Sequence, residues 1–104
     1  MKMSLLTPEL IASRIAEIHK TIVIQGVRAC QAEESSTEDI VIKSHIVGMV
    51  LALSFLLGMP HEEITAACMG DINRALNGES LKTEYRAGSE VIQVNPLQSR
   101  PSQN

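Results

Sequence analysis

The stretch that decides the fold is residues 40–57, IVIKSHIVGMVLALSFLL. It carries one full charge, on Lys43, and no charged residue lies between positions 46 and 60. A helix this apolar cannot leave a broad face in water, so it needs neighbours on most of its sides. We therefore predict that it is the central helix of the protein.

A membrane-spanning interpretation of this stretch is possible on length alone, since 18 residues approach the minimum for crossing a bilayer. Lys43 and His45 interrupt it, however, and acidic pairs flank it at positions 38–39 and 62–63. No Trp or Tyr belt marks its ends. We expect a buried helix in a cytoplasmic protein that has no membrane contact.

A first helix is predicted over residues 8–32. Thr7 can cap it, Pro8 suits its first position, and isoleucines at positions 11, 15, 18 and 22 form one apolar stripe. The β-branched residues 21–24 and the following Gly26 would also suit a strand or a break in the helix.

Two more helices are predicted, over residues 38–57 and 60–77. Ser36 or Thr37 can cap the central helix, and Gly58 fits its C-terminal end. Pro60 starts the third helix, and the pair Asn77–Gly78 ends it.

Beyond Gly78 the pattern is weaker. Residues 80–87 fit a short fourth helix, with Leu81 and Tyr85 on one side, and residues 90–94 fit a short strand or an apolar hook. We predict an all-α fold with a single helical domain over residues 1–94 and a disordered polar tail over residues 95–104, which contains two prolines.

The charge balance disfavours nucleic acid as a partner. The net charge is −3, the nine Lys and Arg residues are scattered, and Phe55 and Tyr85 are the only aromatic residues. A helix–turn–helix regulator that uses helices 38–57 and 60–77 remains an alternative. Its second helix would present the carboxylates of Glu62 and Glu63 to DNA, where they would be repelled.

Catalytic and metal-binding patterns are incomplete. His61-Glu62 begins an H-E-x-x-H zinc motif, but Thr65 stands where the second histidine is required. His19 and His45 each stand alone, and Cys30 and Cys68 have neither metal-ligand spacing nor a visible histidine partner. We predict no catalytic residue, no cofactor and no metal site, and a small all-α metal-dependent hydrolase is kept as a second alternative.

The remaining hypothesis is a protein–protein interaction module that acts as a regulator, adaptor or inhibitor without catalysis. Three helices in one chain do not cover the apolar central helix, and a two-fold homodimer is the commonest way to complete such a bundle. The predicted interface residues lie on the first and second helices: Ile11, Ile15, Ile18, Ile22, Val47, Val50, Leu51 and Ser54.

Overall fold

The computed structural model describes residues 7–87 and 90–94 of the chain. It contains three helices, α1 (Pro8–Gln31), α2 (Thr37–Leu57) and α3 (His61–Leu76), followed by two strands, β1 (Glu84–Ala87) and β2 (Glu90–Gln93). The three predicted helices are confirmed, each to within one residue at either end. The predicted tail over residues 95–104 lies outside the described residues.

The helix ends follow from local chemistry. The Thr7 hydroxyl accepts a hydrogen bond from the Leu10 N–H at 3.0 Å, and the Ser36 hydroxyl accepts one from the Asp39 N–H at 3.1 Å. Gly58 ends α2 in the left-handed conformation, with φ of 65°. These local signals set the start of α1 and both ends of α2.

Gly26 does not break α1, which runs without interruption from Pro8 to Gln31. The residue is buried, and a Cβ atom there would lie 2.7 Å from Cγ1 of Ile72 on α3. The glycine therefore allows α1 and α3 to approach closely, and the strand-like residues before it are helical because the tertiary contact outweighs their local propensity.

The predicted short helix over residues 80–87 is wrong, since residues 84–87 form β1 and pair antiparallel with β2. Tyr85 lies opposite Ile92 in the register, and both side chains are buried. An isolated helix of eight residues is marginal, whereas the strand ladder satisfies the backbone of both segments. Residues 90–93 confirm the predicted strand, and the fold is mostly helical with one β-hairpin.

The core lies where the three helices meet the hairpin. Ile22, Leu53 and Ile64 are wholly buried, one from each helix, and Val94 is wholly buried beyond β2. Burial of such aliphatic side chains is the main favourable term in folding.

Candidate functional site

Among the residues that the structure describes, the most exposed apolar surface is one side of α2, which we call the outer face. Its large members are 46% to 58% exposed, apart from Phe55, which is 93% exposed. Such contiguous apolar exposure is uncommon on a monomeric soluble protein, which makes this face the first candidate for a contact surface. The outer face consists of Ile40, Val41, Ser44, Val47, Gly48, Leu51, Ala52, Phe55 and Leu56.

The opposite side of α2 packs on the rest of the chain through Ile42, Val50 and Leu53. Only 17% of the most apolar 18-residue window of α2 is buried, and the helix is long and apolar enough to cross a membrane by length and composition. The single chain thus leaves largely uncovered the helix that we expected to be buried.

The predicted interface residues fall into two groups. Ile15, Ile22 and Val50 are buried inside the single chain, and Ile11 and Ile18 pack half-buried against its core. These side chains already have partners within the chain.

The other predicted interface residues lie nearer the surface. Ser54 is half-buried, and its hydroxyl donates to the Met59 carbonyl at 2.6 Å. Val47 and Leu51 are more than half exposed and belong to the outer face. Of the predicted interface residues, Val47 and Leu51 on α2 are therefore the two that the single chain leaves largely exposed.

A groove of about 320 Å³ borders the outer face between α2 and α3. Val47 and Leu51 belong to both surfaces, and the Cys68 side chain lines the groove from α3. The other lining residues are Ile22, Ile46, Val50, His61, Thr65, Met69 and Ile72. The apolar surface therefore continues from the outer face toward α3.

A second feature is a buried polar cluster that was not predicted from the sequence. His19 on α1 and Asp71 on α3 are fully buried, and Tyr85 on β1 is 2% exposed. His19 Nδ1 lies 2.8 Å from the Tyr85 hydroxyl and 3.6 Å from Cys68 Sγ, and Nε2 lies 2.9 Å from Asp71 Oδ2. The cluster joins α1, α3 and the hairpin at one point.

The hydrogen-bond partners fix the protonation states of the cluster. Burial alone would raise the pKa of Asp71, but hydrogen bonds from the Lys82 N–H, Thr83, His19 and Arg74 outweigh it and lower the pKa. An ionised carboxylate only accepts, so His19 Nε2 carries the proton and donates to it. Burial lowers the pKa of His19 despite the nearby carboxylate, so Nδ1 is unprotonated and accepts from Tyr85.

Asp71 has a full set of donors. Its Oδ1 accepts from an Arg74 nitrogen at 2.6 Å and from the Lys82 N–H at 2.9 Å. Its Oδ2 accepts from His19 at 2.9 Å and from the Thr83 N–H at 3.3 Å. Because two of these donors are backbone amides just before β1, the carboxylate anchors the hairpin to α3.

The order Cys68–His19–Asp71 resembles a nucleophile, a base and an orienting carboxylate. Burial raises the pKa of the Cys68 thiol to about 11, so the reactive thiolate is not formed near neutral pH. The base position, Nδ1 of His19, already accepts from Tyr85. The arrangement therefore favours a structural role in which the cluster stays neutral apart from Asp71 and Arg74.

Part of this cluster had a signal in the sequence. Asp71 falls beside Ile72 and three residues after Cys68, within the apolar stripe of α3, and an acid in such a stripe requires buried donors. His19 similarly adjoins the Ile15–Ile22 stripe of α1. Nothing in the sequence indicated that Tyr85 joins them, because that contact crosses 66 residues.

Other titratable residues lie apart from the cluster. His45 and Cys30 are exposed, and His61 is paired with Glu62 at 3.4 Å on the surface. Within residues 7–87 and 90–94, no group of three or more His, Cys, Asp or Glu side chains is placed to hold a metal ion.

Comparison of the chain with protein-family models, curated proteins and solved structures finds no significant match. The outer face of α2 and the buried polar cluster are the two features of the molecule that bear on its function.

Proposed function

We propose that this protein is a small helical protein–protein interaction module, acting as a regulator, adaptor or inhibitor in the cytoplasm, with the outer face of α2 as its contact surface. The observation that carries the proposal is the exposure of six large apolar side chains on one side of a single helix, led by Phe55 at 93%.

The free energy available from covering this surface is appreciable. Full burial of a large apolar side chain stabilises by about 1.5–3 kcal/mol, so the exposed fractions of these six side chains correspond to roughly 5–11 kcal/mol. Association costs an estimated 4–15 kcal/mol in lost freedom, so the gain and the cost are of the same order. The outer face can thus support reversible binding in which neighbouring contacts set the affinity.

A protein partner fits this surface better than a bilayer does. Helices α1 and α3 pack alongside α2 and carry exposed ionised groups, among them Arg14, Arg28 and Glu63. Insertion of α2 across a membrane would carry these charges into hydrocarbon at a cost of about 2.5 kcal/mol or more for each basic residue. Lys43 is the only Lys or Arg residue on α2, and a single basic residue gives too little electrostatic attraction to hold the helix on an anionic membrane surface.

The buried cluster supports binding rather than catalysis as the mode of action. Its histidine and carboxylate are fully buried, and its thiol is held protonated by its surroundings. A catalytic group must reach its substrate, whereas these side chains contact one another. Their role in the proposal is to hold the hairpin on α1 and α3, which keeps the scaffold behind α2 rigid.

Site-specific photocrosslinking tests the proposal. A photoreactive phenylalanine analogue placed at position 55 and irradiated in intact cells should give a protein adduct of discrete mass. The same analogue at Ala66, on the exposed side of α3, is the matched control and should give no intermolecular adduct. The proposal fails if position 55 gives no protein adduct or labels only lipid.

A further inference from the structure

We infer that the partner on the outer face is a second copy of this chain, packed with its α2 antiparallel to the first and with the two-fold axis passing at Gly48. This inference rests on the proposed function, since it assigns the partner of the same surface.

Seven of the nine outer-face residues form a size pattern that is symmetric about Gly48, whereas Val47 and Leu51 have Met49 and the exposed His45 at the mirrored positions. Ile40 and Val41 lie eight and seven residues before it, and Phe55 and Leu56 lie seven and eight residues after it. All four side chains are large and at least 46% exposed. A two-fold interface uses the same patch twice, so residues at equal distances before and after the axis face each other, and this pattern brings large side chains together at both ends and small ones at the centre.

The middle of the face is built for close approach. Ser44 and Ala52 lie four residues on either side of Gly48, and all three are exposed. A Cβ atom added to Gly48 would meet nothing within 4 Å in the single chain, so packing within the chain does not explain this glycine. A glycine in a helix interior costs roughly 0.5–1 kcal/mol relative to alanine, and close contact with a second helix would offset that cost.

The antiparallel direction follows from side-chain volume. About an axis at Gly48, Phe55 of one copy meets Val41 of the other, so that a large side chain lies against a smaller one at both ends. A parallel pair would instead place Phe55 against Phe55 and Val41 against Val41, which crowds one end and leaves the other underpacked. Antiparallel helices also align their dipoles favourably.

The expected affinity is moderate. One face of a 21-residue helix is roughly 31 Å long and about 10 Å wide, which is smaller than the standard interface of about 800 Å² per partner. We therefore expect a dimer that forms in the micromolar range and dissociates on dilution.

Disulfide trapping tests the direction and register. In a Cys30→Ser background, which removes the exposed native thiol, Ser44→Cys and Ala52→Cys chains are mixed and oxidised. The inferred dimer places position 44 opposite position 52 of the other copy, so the mixed pair should crosslink. Two copies of position 44 would lie about 12 Å apart along the helices, beyond the 4.4–6.8 Å Cα separation of a disulfide, so Ser44→Cys alone should not crosslink.

A variant at the axis tests the same geometry by affinity. Gly48→Leu should weaken the dimer at least tenfold in sedimentation equilibrium, because the added side chain separates the two helices. Ala66→Leu places the same leucine on the exposed side of α3 and should leave dimerisation unchanged. Circular dichroism of both variants confirms that the single chain remains folded, since position 48 has open space around it.

Three results would overturn the inference: efficient crosslinking of Ser44→Cys alone, a Gly48→Leu chain that dimerises as well as the parent, or a parent chain that stays monomeric at several hundred micromolar. A discrete adduct at position 55 with a different protein would exclude the second copy as partner and leave the proposed function intact. Labelling of lipid alone would exclude both the second copy as partner and the proposed function.

Discussion

The buried His19 makes the stability of the fold sensitive to mild acid. In the folded chain its pKa is lowered, chiefly by burial, so it stays neutral, whereas an unfolded histidine takes up a proton with a pKa of about 6.5. Below that pH the unfolded state binds one more proton than the folded state. Stability is therefore fully present above about pH 6.5 and falls as the pH drops toward the folded pKa.

The size of the effect follows from a single proton. The free energy of unfolding should fall between about pH 6.5 and the lowered pKa of the folded His19, with a slope of at most about 1.4 kcal/mol per pH unit, the value for one proton. This window lies above the range in which the lowered pKa values of Asp39 and Asp71 add further acid sensitivity.

Urea unfolding at a series of pH values and one protein concentration measures this slope. His45→Gln and His61→Gln, which change exposed histidines, should keep the slope of the parent. His19→Gln should lower stability at pH 7 and abolish the slope. If that variant does not fold, the ring resonances of His19 in the parent, followed by NMR, should show that it takes up its proton below about pH 6.5, the pKa of an unfolded histidine. A parent whose stability is flat over this window, or a slope that disappears with His45→Gln, would refute the reasoning.

Three further predictions test the packing. Gly48→Ala should stabilise the chain by about 0.5–1 kcal/mol, measured in a Phe55→Glu background that prevents pairing. In the same background Gly26→Ala should be less stable than Gly48→Ala by about 1–3 kcal/mol, because the Cβ atom introduced at position 26 overlaps the Ile72 side chain. Equal stabilities of the two variants would contradict the observed contact between α1 and α3. Tyr85→Phe should cost about 1–3 kcal/mol in urea unfolding, because Nδ1 of His19 loses its hydroxyl donor, and a neutral result would show that Cys68 or water replaces it. Iodoacetamide at pH 8 should modify the exposed Cys30 in the folded chain. Cys68 is buried and its pKa is raised to about 11, so mass spectrometry should show its modification only after unfolding. Rapid modification of Cys68 would indicate that the cluster opens in the folded state.

The sequence by itself determined the three helices of this protein. Their bounds depend on local signals, namely the Thr7 and Ser36 caps, Pro8 and Gly58, and these act within one turn of the chain. The apolar run of α2 likewise predicted a helix that one small chain does not cover, and the exposed outer face agrees with that expectation. The order of large and small residues about Gly48 can also be seen in the sequence, whereas their exposure to solvent is visible only in the structure.

Tertiary structure alone decided the hairpin and the buried cluster. Leu81 and Tyr85 are four residues apart, a spacing that suits a helix, and only pairing with residues 90–93 makes the second of them part of a strand. His19, Asp71 and Tyr85 lie far apart in the chain and meet because α1 and α3 pack closely at Gly26. Local signals fix which residues form helices, whereas contacts across 50 or more residues depend on how those helices pack.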